Sequence, residues 1–441
     1  MEKPERLSKG HMLKLSVTGD PVRQVKFTGD VVTTRREKIP QGREKRLTYF
    51  RGSWPGFAGQ RRKLEILNKE KAAIGNGKVV SMIAADEGKM RPNHMLLRGE
   101  YDNRGEVVEI SAPTSIMTFS PELPKNRLGL ARWVVDPENP LAARVAVNRY
   151  WQMIFGVGLV KTSEDFGAQG ERPSHQELLD YLAVDFMDSG WDIKRLIRTI
   201  VSSATYQQSS ALSRGIARVD PGNRLISHAP RQRLAAEFIR DHSLSVSGLL
   251  VNKLGGPGVN PYQPAVLFGR NAIGSSNASF TQSKGEGLYR RSLYTYWKRQ
   301  IPAANMRILG SDGRNSCRTR RERTNTPLQA LVLLNDPQFV EAARVLAERC
   351  YREGGESVED RLRYAFRLST SRRATSGEIK VLLAEYRERL SEFHNNPAAA
   401  NAYISGGGAS SPDAGIIPQQ LAAYAAVVSL ILNLDESISK S

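Results

Sequence analysis

The chain is poor in cysteine, in long apolar runs and in the short motifs that mark most enzyme classes. Its 441 residues include only two cysteines, Cys317 and Cys350. Two cannot build the disulfide framework of a small secreted domain, and their separation rules out a CxxC metal or redox motif. They read as two separate thiols, since most lone cysteines behave as small buried hydrophobes; a single bridge between them is the alternative. No apolar run reaches the roughly 18 residues of a membrane span. The longest, Leu421 to Leu434, is broken by Ser429 and Asn433. The opening MEKPERLSKGHMLKLSV is charged and lacks the apolar core of a signal peptide, which read literally predicts a cytoplasmic chain.

Catalytic motifs are missing too. No GxGxxG opens a helix after a strand, and there is no GxxxxGK[ST], HExxH, GxSxG or EF-hand loop. The six histidines, at 11, 94, 175, 228, 242 and 394, never fall three or four apart, so no helical metal pair exists. The lack of CxxCH excludes covalent c-type haem. Neither a metal nor a cofactor is expected.

Positive charge is plentiful. Lys and Arg number 64 against 45 Asp and Glu, a net charge of +19. Residues 1–72 hold 18 of the basic and 8 of the acidic side chains, so about half the excess lies there. Such a balance favours an anionic partner: nucleic acid, acidic polysaccharide or an anionic surface.

Three regions follow from the pattern along the chain. Residues 1–60 form a basic segment in which Leu13, Leu15 and Val17, then Val22, Val25 and Phe27, alternate like small strands. Arg35 to Arg51 reads as exposed and basic. Residues 61–125 combine a charged helix over Gln60 to Ala73, β signals at Val79-Val80, Met95-Leu96-Leu97 and Val107-Val108, and a proline-marked linker. Residues 126–441 are helical. Asn126 caps the first helix, and Asn139-Pro140 starts the second. Ser174 to Glu177 has capping-box spacing, and Asp192 caps the next helix. Further helices are expected at 230–250, about 288–299, 327–334, 337–352, 356–369, 376–394 and 417–434, with loops at 255–283 and 395–412. Thr326-Pro327 and Asp336-Pro337 repeat one cap-then-proline device. The predicted fold is mainly α, a helical C-terminal domain behind a small β-containing N-terminal segment.

Three stretches carry the residue types that chemistry needs. The first is YRRSLYTYWKR, residues 289–299, where Arg290, Arg291, Tyr294 and Trp297 interleave cations with planar rings suited to an anionic sugar or a stacked base. The competing reading is an amphipathic helix with its aromatics in the core, Leu293 and Trp297 sharing one face. The second is CRTRRER, residues 317–323, where Arg320, Arg321 and Arg323 run into the helix capped by Thr326. That is an anion site if the helix end is used, and a pinned loop if the arginines pair with carboxylates. The third is the loop Glu164 to His175. It holds Glu164, Asp165, Glu171 and His175 and would serve acid–base hydrolysis of a glycoside if two carboxyl groups face each other. A solvated charged loop is the plainer reading.

Long stretches of the chain resemble one family. They are NRLGLARWVVDPENPLAARVAVNRYWQMIFGVGLVKTSEDFGAQGERPSHQELLDYLAVDF, GWDIKRLIRTIVSSATYQQSS, LYRRSLYTYWKR, CRTRRERTNTPLQALVLLNDPQFVEAARVLAER and the closing LNLDES. The family is domain of unknown function 1553, found in large planctomycete cytochrome c-associated proteins. The resemblance runs from about Asn126 to the end. Residues from about Tyr49 to Pro124 resemble the segment joining this domain to the one before it. The resemblance implies no catalytic residues. It implies a cell-envelope setting and a link to the breakdown of complex or sulfated polysaccharides. Family members usually carry an export signal and a cytochrome c-like domain, and this sequence departs from that plan in both.

The expected function is therefore an accessory module that binds an anionic polymer such as a polysaccharide. A carbohydrate-active hydrolase using the loop carboxylates is one alternative. Nucleic-acid binding through residues 1–72 is another.

Overall fold

The structure is a computed structural model that describes residues 43–53, 55–76, 83, 85, 91–263, 280–298, 301–313, 316–406 and 408–440. The alternating segments at 13–17 and 22–27, and Val79-Val80, lie outside these residues. The chain divides into two compact units, Met1–Met82 and Ile83–Ser441.

In the first unit, α1 spans Arg43–Ser53 and α2 spans Ala58–Asn76. The helix expected over 60–73 is thus present and slightly longer. Part of the basic stretch read as merely exposed is itself helical.

The second unit opens with an antiparallel hairpin of β1 (Asn93–Leu96) and β2 (Arg104–Val108), at two of the β signals. Helices follow: α3 (Arg127–Val134), α4 (Ala142–Phe155), α5 (Gln176–Asp188), α6 (Ile193–Val201) and α7 (Arg214–Val219). A two-residue strand β3 (Gln232–Arg233) precedes α8 (Ala236–Ser247), α9 (Ala304–Ile308), α10 (Pro327–Asn335) and α11 (Pro337–Glu353). The chain continues through α12 (Val358–Thr370), α13 (Ser376–Asn395), α14 (Pro397–Ser405), α15 (Pro418–Leu432) and α16 (Asp435–Ile438) to β4 (Ser439–Lys440), which pairs antiparallel with β3. The fold is helical, with the hairpin near its N-terminal side and one short strand pair.

Most helix starts follow local chemistry. Asn126 Oδ1 accepts from Leu128 N and Gly129 N, and Asp192 accepts from Arg195 N. Thr326 and Gln329 form a reciprocal capping box, and Asp336 caps α11 through Gln338 N. Asn139 Oδ1 bonds Leu141 N and Ala142 N, so α4 begins just past the proline. The expected box at Ser174 does not form: Ser174 Oγ bonds His175 Nδ1 at 3.0 Å, and α5 starts without a side-chain cap. The stretch read as a loop over 395–412 contains α14, started by Asn396-Pro397 with Asn396 accepting from Ala399 N.

The apolar run at 421–434 is the centre of the largest core. Helix α15 is buried on nearly every side, at Leu421, Ala422, Ala423, Tyr424, Ala425, Val427, Val428, Ile431 and Leu432. A helix apolar all round belongs inside a bundle, and α11, α13 and α14 pack on it. Each fully buried Leu or Val contributes about 1.5–3 kcal/mol. Among the described residues no helix is long and apolar enough to cross a membrane. A second core joins α4, α5 and α6 through Val147, Trp151, Leu182, Phe186 and Ile200. A third gathers Ala236, Ile239, Leu333, Phe339 and Ile438 around α8.

Candidate anion-binding face around α8

Helix α8 buries Ile239, Leu244 and, unusually, Arg240, which is 1% exposed. A buried guanidinium must be fully bonded. Arg240 donates from Nε to Gln338 Oε1, from Nη1 to Arg290 O at 2.8 Å and Ser292 Oγ at 3.2 Å, and from Nη2 to Leu288 O at 2.7 Å. Burial lowers its pKa to about 10, so it stays charged at neutral pH. The adjacent Asp241 accepts from both Ser292 N and Ser292 Oγ at 2.7 Å.

These bonds explain why 288–299 is not the helix that its spacing predicts. The carbonyls of Leu288 and Arg290 face Arg240, while Tyr289 O accepts from Val251 N, and Tyr294 O from Val259 N. Without free carbonyls an i→i−4 ladder cannot form, so tertiary partners override the local pattern. Two short 3-10 turns remain, at Gly285–Leu288 and Ser292–Tyr294. Leu293 is largely exposed and Trp297 is half-buried in the third core, so they do not share a helical face.

Within this segment Arg290 and Tyr294 face inward. Arg290 is 7% exposed, and its two Nη atoms donate to the carbonyls of Pro257, Lys253 and Gly255 at 3.1, 2.9 and 2.5 Å. Its guanidinium lies 3.7 Å from the Tyr294 ring centre, and Tyr294 Oη accepts from Gly255 N at 2.7 Å. The pair clasps a turn that needs Gly255 and Gly256 at φ 76° and 86°. Arg291 instead reaches outward, 3.9 Å from Asp241.

The loop 316–326 carries the second set. Arg321 is held by Glu237 at 2.7 Å and Asp312 at 3.4 Å. Arg318 lies 3.8 Å from Asp312, and Arg320 lies 3.7 Å from Glu164. Arg323 donates to Gln232 Oε1 and has no carboxylate in ion-pair range among the described residues; desolvation lowers its pKa. Trp297 Nε1 donates to Gly313 O at 3.4 Å, beside the Asp312 that Arg318 and Arg321 both approach.

The third stretch meets the second through the Glu164–Arg320 pair and a Thr319 hydroxyl donating to Glu164 at 3.4 Å. Its carboxylates have separate partners. Asp165 Oδ1 accepts from Gly167 N at 2.6 Å in a local turn. Glu171 pairs with Arg224 at 2.7 Å and Lys161 at 3.5 Å, and the Arg224 bond holds its pKa below the ordinary carboxylate value. The His175 ring bonds its neighbour Ser174, at 3.0 Å. Among the described residues no cluster of His, Cys, Asp and Glu could hold a metal ion.

Sequence reading missed Arg240, Glu237 and Asp241. The available signal was a charged triplet spacing, 237, 240 and 241, inside an otherwise apolar amphipathic stretch.

What the fold defines is a helical domain with an arginine-bearing face and, among its described residues, no metal-binding cluster. The family model described as PSD1, protein of unknown function DUF1553, matches residues 126–386, and the chain belongs to that family. No curated protein and no solved structure matches it.

Proposed function

We propose that this chain is an accessory module that binds an anionic polymer, a sulfated or carboxylated polysaccharide, on the face shared by Arg291, Arg318, Arg320, Arg321 and Arg323. The observation that carries this reading is the docking of two distant arginine segments on one turn of α8, through Glu237 and Asp241. The side chains of Arg318 and Arg320 are 55% and 58% exposed. Exposed ion pairs of this kind contribute only about 0–1 kcal/mol. A polyanion presenting several charges at once can therefore replace their present carboxylate partners, gaining from linked contacts. Arg290 and Tyr294 support the face from within rather than touching the ligand.

The test is retention on a heparin-type sulfated column. Replacing Arg318, Arg320 and Arg323 together by Gln should move elution to clearly lower salt. Unchanged elution would sink the proposal. Equal competition by duplex DNA would replace the polysaccharide with a general polyanion.

A further inference from the structure

The turn that carries Glu164 and the loop that carries Arg320 are tied to one face of α4. Asn148 and Gln152, one helical turn apart, are both buried there. Asn148 Nδ2 donates to Ser163 Oγ at 3.2 Å, Ser163 Oγ donates to Gln152 Oε1, and Gln152 Nε2 donates to Thr319 O at 3.4 Å. These bonds run from Ser163, beside Glu164, to Thr319, beside Arg320. Buried polar groups keep their partners, so the two backbones are held in register.

The turn itself is closed. Thr162 O accepts from Asp165 N at 2.8 Å, and Thr162 Oγ1 donates to Asp165 O and accepts from Glu171 N, each at 2.9 Å. Gly170 packs so closely on it that a Cβ there would lie 2.1 Å from Asp165 O. Glu164 therefore projects from a fixed backbone. Its carboxylate lies 3.7 Å from Arg320 and accepts from Thr319 Oγ1 at 3.4 Å. The other carboxylates of this face are more enclosed: the side chains of Glu237, Asp241 and Asp312 are 19%, 16% and 23% exposed, against 51% for Glu164.

We infer that Glu164 is a built-in competitor at Arg320: its carboxylate takes the place that a sulfate or carboxylate of the polymer would take. The inference rests on the polyanion reading above and adds the regulation of that face. A single anion meets a rival already held in position. A polymer that engages the neighbouring arginines at the same time can turn the Glu164 side chain out into water. The contact thus sets a threshold of charge density, rejecting sparsely charged chains and admitting dense ones. A purely structural clamp predicts the opposite sign, because losing Glu164 would loosen the loop and weaken binding.

Isothermal titration of the full chain with a heparin-derived octasaccharide gives the first readout. Glu164→Gln should tighten binding about two- to fivefold, the most that one exposed ion pair commands. Glu171→Gln makes the same change of net charge in the same loop and should not. In an Arg320→Gln background, Glu164→Gln should have no further effect. Weaker binding in Glu164→Gln, or equal tightening in both single variants, overturns the inference. The second readout needs no polymer. Cys317 is exposed, two residues before Thr319, whereas Cys350 is buried. Glu164→Gln should speed the reaction of Cys317 with dianionic dithiobis(nitrobenzoate) about twofold relative to neutral iodoacetamide, and Glu171→Gln should leave that ratio unchanged. An unchanged ratio in Glu164→Gln overturns the competitor whatever the octasaccharide does. A raised ratio without octasaccharide binding keeps the competitor and sinks the polysaccharide.

Discussion

Glu237 and Asp241 stand one helical turn apart on α8, and each anchors an arginine from a different segment: Arg321 at 2.7 Å and Arg291 at 3.9 Å. Between them in sequence, Arg240 points the other way, into the core. One helix thus carries an exchangeable outer layer of charge and a fixed inner one. The two layers should respond very differently to substitution. Arg240→Met leaves two carbonyls, Gln338 and Ser292 without their donor and should destabilise the domain by about 3–5 kcal/mol. Arg321→Met, at a side chain 39% exposed, should change stability by no more than about 1 kcal/mol. Urea unfolding of both variants gives the comparison; equal losses would mean the inner network is not distinct.

The two thiols should also part company. Cys350 is 1% exposed, and burial pushes its pKa up to about 12, whereas Cys317 is exposed on the arginine loop. A thiolate-directed reagent should label one cysteine per native chain at pH 8 and two after denaturation. Peptide mapping should place the native label on Cys317. Fast native labelling of Cys350 would contradict its packing against α15.

How much of this was legible beforehand depends on the range of the interactions. The starts at Asn126, Asp192, Thr326 and Asp336 were readable because a cap and its partners lie within three residues. Helix α14 used the same device at Asn396-Pro397 and was missed only because glycines nearby made the stretch look like a loop. The segment 289–298 failed for another reason. Its residues have helical spacing, but its carbonyls belong to Arg240, some fifty positions away in sequence. Nothing in a local window marks that claim on the backbone. For the same reason Arg290 read as a surface cation, because its partners are the carbonyls of Lys253, Gly255 and Pro257, which carry no side-chain signature. The exposed arginines of 318–323 were legible as a cluster, and their docking on α8 was not.

Acid should reveal one further link. Arg372 bridges Glu378, at 2.6 Å, and Glu436, at 2.8 Å. Its bonds hold the Glu378 pKa at about 2, below an ordinary value of 4.5. A depressed carboxylate contributes stability above its unfolded pKa and loses it as pH falls through the folded value. Stability should therefore fall between about pH 4.5 and 2 in the native chain. Arg372→Met should be less stable at neutral pH and show a shallower fall over that window, measured by denaturant midpoints. An identical acid slope would rule out the linkage.

Close approach makes a fourth site sensitive. Asn148 is fully buried and bonds Val160 N at 2.8 Å and Val160 O at 3.0 Å, fixing the turn after α4. A Cβ on Gly158 would lie 2.6 Å from both polar atoms of the Asn148 side chain. Gly158→Ala should lower stability by roughly 1–3 kcal/mol, the range for overpacking. A melting temperature unchanged from the parent would show that this turn relaxes freely.

The family match ends at residue 386, but the packing does not. Cluster residues Ala400, Ile404, Leu421, Val428 and Ile431 all lie beyond it and face α11 and α13. A chain stopped at 386 should be recovered mainly as aggregate, or unfold without a cooperative transition. A soluble, cooperatively melting 126–386 fragment would show that the fold closes without α15.

The strand pair β3–β4 has a consequence for how the protein is made. Arg231 bonds Asp435, 204 positions later, and Ile438 completes the core around α8. On a translating ribosome, that core stays open until Ile438, about 200 residues after α8, has left the exit tunnel. Contacts so distant in sequence form late. While those 200 residues are made the chain would therefore expose the apolar side of α8, and the segment 435–440 acts as the closing stitch.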